Sequence, residues 1–221
     1  MCPWEQYEKD PFPFCEEHLC QLVGQPANTW SNIGYYLVAV MLWRSSTGHP
    51  VRRAFAAIAL VQAVGSTLFH MSGSLWAKEL DVVAMLLLSA LCLVLGLRRL
   101  YGWRPGPLGA LFIGLNALSY PTITLGKIGG YIFLGQSLLA VALEWRRSRR
   151  EALAGLTYLR QVLVVFPVAV VLNYMDQNGP LCWPGNHVFT VHGLWHLMTA
   201  FCIYRIAQYY TTDYSSPRNS S

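Results

Sequence analysis

The sequence predicts an all-α polytopic membrane protein of seven transmembrane helices, with the N-terminus outside and the C-terminus in the cytoplasm. Three observations carry that expectation. Of 221 residues, 54% are hydrophobic and only 12% are charged, about half the charged fraction of an ordinary soluble domain. The stretches between charge clusters are long enough for bilayer crossings, which take roughly 17–25 residues each. The positive charges alternate between loops in a way that sets an orientation.

The spans fall at about 28–43, 54–69, 80–97, 108–125, 128–145, 158–174 and 188–204. Only Gly126 and Lys127 part the fourth from the fifth. Pro121 and Pro167 lie inside spans and predict kinks, which neighbouring helices accommodate. A soluble helical protein would have to cover seven nearly uncharged stretches with water-facing surface, and the composition argues against it. Three regions follow: an extracytoplasmic tail over 1–27, a transmembrane domain over 28–206 and a polar cytoplasmic tail over 207–221. The end of that last tail, TTDYSSPRNSS, has the composition of a disordered segment.

All thirteen arginines fall on one side of this arrangement. Arg44, Arg52 and Arg53 follow the first span, and Arg98, Arg99 and Arg104 the third. Arg146, Arg147, Arg149 and Arg150 lie between the fifth and sixth, with Arg160 at the start of the sixth, and Arg205 and Arg218 close the chain. The opposite side holds Lys9, Lys78 and Lys127. The positive-inside rule places the arginines in the cytoplasm. The net charge of +5 is thus a topology signal facing anionic lipid and calls for no nucleic acid.

The N-terminal tail is acidic, with Glu5, Glu8, Asp10, Glu16 and Glu17, and has no apolar run of the signal-peptide kind. Glu16 and Glu17 read as a solvated acidic segment. Cys2, Cys15, Cys20 and Cys182 fall on the outer, oxidising side, which allows disulfides. Spacing does not pair them. Cys92 and Cys202 lie inside spans and read as core.

The polar residues inside the spans carry the chemistry. His70 closes the second span, with Ser66 one turn deeper, and Asp81 opens the third. The seventh contains His192 and His196 at i and i+4, on one helical face. With alternating span directions, all of them fall at a similar depth near the outer side. Ionisable groups in a membrane are costly and mark functional sites. A histidine pair alone also suits haem, or a bond to a neighbouring carbonyl. Three neutral imidazoles in apolar surroundings are the ligand set of a catalytic zinc, whose fourth position is left for water. No glutamate stands between His192 and His196, so this is not the zinc-protease pattern. Asp81 is then the candidate base. Ser66 reads either as a donor to a developing oxyanion or as a hydroxyl bonding back to its own helix. Asn28, Ser31, Asn32, Asn173 and Asp176 read as interhelical glue, and Trp195 as a packing residue.

STLFH, an aspartate eleven residues on and a C-terminal HGLWH together resemble the alkaline ceramidase family. That family belongs to a wider seven-helix hydrolase superfamily with the adiponectin and progestin receptors and the Per1-type lipid-remodelling proteins. NTWSNIGYY, with Asn28, Ser31 and Asn32, resembles its first-helix element, and NYMDQNGPLCW the segment before its last helix. The resemblance implies that His70, His192 and His196 hold zinc, that Ser66 and Asp81 assist, and that Cys15 pairs with Cys182. It departs at the family's N-terminal calcium site. Pro13, His18 and Gln25 stand where that site has oxygen ligands, and calcium takes six to eight oxygens, so calcium is not expected.

The expected function is zinc-dependent hydrolysis of a ceramide-like membrane lipid at its amide, by a multi-pass protein whose site faces the extracytoplasmic side. Asp81 would accept a proton from water and Ser66 would stabilise the oxyanion. The alternatives are a receptor-like or lipid-remodelling member of the same superfamily, an acyl-ester lipid hydrolase, and a bis-histidine membrane cytochrome.

Overall fold

The structure, a computed structural model, describes residues 2–10, 14–123, 128–150, 155–179 and 181–212. Among these the chain is helical, apart from turns and an isolated bridge between Lys9 and Ser74. The helices are α1 Pro26–Ser31, α2 Ile33–Arg44, α3 Pro50–Ser72, α4 Leu75–Tyr101, α5 Pro105–Ser119, α6 Ile128–Ser148, α7 Leu156–Asn178 and α8 Val191–Thr212. Pro26, Pro50 and Pro105 stand in the first turns of α1, α3 and α5, where the missing N–H breaks no helical bond. Gly73 ends α3 with φ +62 and returns its N–H to the Phe69 carbonyl at 2.7 Å, a left-handed cap that a side chain would strain.

Among the described residues the expected stretches are largely helical, although 188–190 precede α8 and 124–125 lie outside the described residues, and the other differences have local causes. The first stretch is divided at Asn32. Its side-chain amide donates to the carbonyls of Asn28 and Thr29, at 2.9 and 3.3 Å, and such bonds compete with the helical ladder. Pro121 does not kink a continuing helix; it falls in a 3-10 turn, Tyr120–Thr122, that follows α5. At the other end α8 runs on to Thr212, with Ala207, Tyr209, Tyr210 and Thr211 buried. The segment 207–212, assigned above to a polar tail, is therefore packed helix, while 213–221 lie outside the described residues, as do Gly126 and Lys127.

Among the described residues four helices, α3, α4, α6 and α7, are long and apolar enough to cross a membrane. Large apolar side chains are exposed along α2 (Ile33, Leu37, Val40, Met41, Trp43) and α7 (Leu163, Val164, Val168, Val171, Tyr174). Apolar surface in such continuous rows is what hydrocarbon covers. The chain reads as a membrane protein.

The described chain forms two compact units, one from 1–81 and 155–221, the other from 82–154. In the first, α2 packs along α3, α7 packs along α8, and α8 also meets α1, α2 and α3. The Cys15–Cys182 disulfide binds the polar tail to the loop before α8, and Cys2–Cys20 closes a loop within the tail. Lys78 pairs with Asp10 at 2.7 Å, and Lys9 donates to the Ser72 carbonyl at 2.7 Å. The second unit has its own buried polar contacts. Arg99 meets Glu144 at 3.4 Å, and Ser89 donates to Gln136 at 2.7 Å.

Candidate metal centre

The α3 helix carries Gln62, Ser66 and His70 at successive intervals of four, so all three share one face. The α8 helix turns His192 and His196 toward the same place. These three histidines, all buried, place their ligand nitrogens within 4.8 Å of one another and could hold a metal ion. The Nε2 atoms of His70 and His192 are 3.2 Å apart.

What fixes the rings is a set of outer partners. His70 Nδ1 meets Gln25 Oε1 at 2.7 Å, and the amide nitrogen of Gln25 donates to the Glu16 carbonyl at 2.6 Å. His192 Nδ1 meets Asn173 Oδ1 at 2.8 Å. His196 Nδ1 meets Ser31 Oγ at 2.7 Å, and Ser31 donates its single hydroxyl proton to the Asn28 carbonyl at 2.9 Å. Gln25 and Asn173 offer amide oxygens, and the Ser31 hydroxyl can accept from His196 while it bonds the Asn28 carbonyl. These partners match the tautomer that carries its proton on Nδ1 and presents an Nε2 lone pair to the centre. In that tautomer a shared cation offsets the repulsion between the converging lone pairs. The donor set thus fits a metal, and imidazoles suit zinc, copper, iron or nickel. Outer partners of this kind orient ligands and raise their affinity. Asn173→Leu is expected to weaken metal binding by about 10–100-fold, measured by competition with a chromophoric chelator; unchanged affinity would mean that the Asn173 bond does not set the ring.

Asp81 reaches the site because α4 starts close against α3. A Cβ at Gly65 would lie 2.9 Å from the Asp81 nitrogen, so only glycine permits this approach. Gln62, one turn before Ser66 on α3, donates to Asp81 Oδ1 at 2.5 Å. Ser66 Oγ is 3.4 Å from His196 Nε2. The three histidines, Ser66 and Asp81 are thus in one place. Tyr35 packs beside them, its ring centroid 5.9 Å from that of His196 and its hydroxyl 2.5 Å from Thr199 Oγ1. Trp195 packs on Phe166 of α7, ring centroids 6.1 Å apart.

Sequence reasoning missed the role of the residues around this core. Ser31 and Asn173 join helices, as expected, but do so by holding metal-site imidazoles. Asp176 accepts the backbone N–H groups of Cys15 and His192, and Thr190 donates to Asn28 Oδ1 at 2.5 Å. Glu16 corrects the reading of a solvated tail. It is 1% exposed, and its carboxylate accepts the backbone N–H groups of Ala27 and Asn28, both at 2.9 Å, at the start of α1. His187 meets the same carboxylate at 3.1 Å. With Glu16 so engaged and Gln25 turned to His70, these residues do not fit a calcium site. The signal for Gln25 was its position just before α1; nothing in the sequence tied it to His70, 45 residues on.

No protein-family model matches this chain, and no curated protein does.

Proposed function

We propose that this protein is a zinc-dependent intramembrane amide hydrolase that cleaves ceramide-type N-acyl sphingoid lipids to a fatty acid and a sphingoid base. The observation that carries the reading is the convergence of three buried imidazoles beside a carboxylate and a buried hydroxyl, inside a helical unit with apolar outer faces. The motifs that resemble alkaline ceramidases supply the substrate class. Seven spans, an outer N-terminus and a site toward the extracytoplasmic side complete the proposal, on the strength of the arginine distribution and of the disulfides in the tail.

His70, His192 and His196 would hold the zinc, which when bound supplies Lewis acidity and lowers the pKa of a water in its open position. Asp81 takes one proton from the attacking water as its oxygen adds to the amide carbonyl. Gln62 holds one oxygen of that carboxylate, which fixes its direction. Ser66 donates a hydrogen bond to the carbonyl oxygen as negative charge grows there. Asp81 then returns the proton to the leaving nitrogen, the C–N bond breaks, and a carboxylic acid and an amine remain. A bis-histidine haem fits less well, because the third imidazole occupies space that the porphyrin needs.

Metal-stripped protein should release no fatty acid from long-chain N-acyl sphingoid amides, and added zinc should restore release. A panel of matched amides and esters separates the amidase from an ester lipid hydrolase. No hydrolysis of either points to the receptor-like alternative. Full activity in rigorously metal-free protein would overturn the mechanism.

A further inference from the structure

The tail does more than anchor itself. Residues 14–17 run across one end of the histidine centre. The Phe14 ring centroid is 4.4 Å from that of His192, 5.0 Å from His70 and 5.7 Å from Phe69. Its backbone is held on both sides of the next few residues. Cys15 donates its N–H to Asp176 at 3.1 Å and is bridged to Cys182. Glu16 is bonded to the first turn of α1, and Glu17 donates its N–H to the Pro184 carbonyl at 3.0 Å. Phe14 is therefore a fixed cover.

The direction in which it covers the site follows from the helices. Glu5, Glu8, Glu17 and His18 of the tail are exposed, so the tail is the water-facing end. Gly24 and Gln25 donate their backbone N–H groups to the carbonyls of Met71 and His70, at the C-terminal end of α3. Ser66 lies four residues back along α3, about 6 Å farther from that end, and Asp81 sits beside Gly65 at the same level. The groups with proposed chemical roles are thus on the far side of the imidazoles from Phe14.

We propose that Phe14 is a specificity residue: it closes the aqueous side of the histidine centre, so that the site takes substrates delivered through hydrocarbon and refuses water-soluble amides. The substrate part of this statement rests on the hydrolase reading above; the closure itself does not. A bilayer lipid keeps its acyl chain in hydrocarbon and brings its amide in from the side of Ser66 and Asp81. A small soluble amide has no such route, because the short path from water ends on the aromatic ring.

The test compares wild type with Phe14→Ala and Phe14→Trp, all with the disulfides intact. In metal-free protein, diethyl pyrocarbonate added in water should modify His192 readily in Phe14→Ala and slowly in wild type and Phe14→Trp, as read by peptide mass. In metal-loaded protein, soluble chelator should extract the ion faster from Phe14→Ala. Turnover of a short-chain soluble amide relative to a long-chain lipid amide should rise in Phe14→Ala by about tenfold or more, the scale on which a few apolar contacts discriminate substrates. Phe14→Trp guards against a general loosening, since it keeps the cover while changing the same position. Equal modification of His192 in wild type and Phe14→Ala would overturn the closure. Equal modification in both variants above wild type would also overturn it, as the mark of a disturbed tail. If no variant hydrolyses any lipid amide, the hydrolase reading falls and the labelling still decides what Phe14 does.

Discussion

Asp81→Asn is expected to lower turnover of the lipid amide by about 10²–10⁴-fold, the usual contribution of a positioned acid–base group, with the metal content unchanged. Asparagine keeps the size of the side chain and an oxygen for Gln62 to bond, so the junction of α3 with α4 at Gly65 has no reason to move. What is lost is the ability to take a proton and give it back. The measurement is metal analysis beside a rate of fatty-acid release on the same purified sample. Loss of the metal in Asp81→Asn would move Asp81 from base to ligand. Retention of full rate would remove it from the reaction.

His192→Ala and His70→Ala should fall in the other class. Each removes one of three imidazoles, and the metal content should drop from about one ion per chain to background, with turnover lost along with it. The two substitutions leave different residues behind. His192→Ala releases Asn173, which still has Gln177 as a donor at 3.2 Å. His70→Ala releases Gln25, which still bonds the Glu16 carbonyl. Neither therefore strands a buried polar group completely, and both proteins should fold. Metal retained at wild-type occupancy in either variant would dissolve the proposed ligand set.

The core of the site was legible because its spacings are local. His192 and His196, or Ser66 and His70, share a helical face by arithmetic on the sequence, and span order brought Asp81 to their depth. The shell around them was not, because its members act across the chain. Gln25 looked like a tail residue and binds a histidine on α3. Glu16 looked solvated, and only the packed tail shows that its carboxylate ends on the first turn of α1. Gln62 could have been noticed, since it stands four residues before Ser66 and eight before His70 on the same face. A single glutamine in an apolar helix is more commonly interhelical glue, and its partner Asp81 is reached only through the close approach at Gly65. The pairing of Cys2 with Cys20 needed coordinates, because four cysteines allow three connectivities. Asn32 and Pro121 show the same limit for helix boundaries: each residue was a visible signal, but whether it bends, divides or ends a helix depends on which carbonyls are within reach.

The bridge between Cys15 and Cys182 spans 167 positions, and that distance imposes an order on the making of the protein. Chains fold from the N-terminus as they are synthesised, and Cys15 waits until α7 and the loop beyond it have emerged. Cys2 and Cys20, only 18 positions apart, close early and leave a looped but unfastened tail. Through that interval the imidazoles of α3 are laid down, those of α8 are still to come, and nothing pins the aromatic ring above them. On the hydrolase reading, an ion would load most freely before that second bridge closes. Once the bridge has formed an ion enters more slowly, past the ring, so the supply of metal and the supply of oxidant during biogenesis would jointly set how fast the site fills.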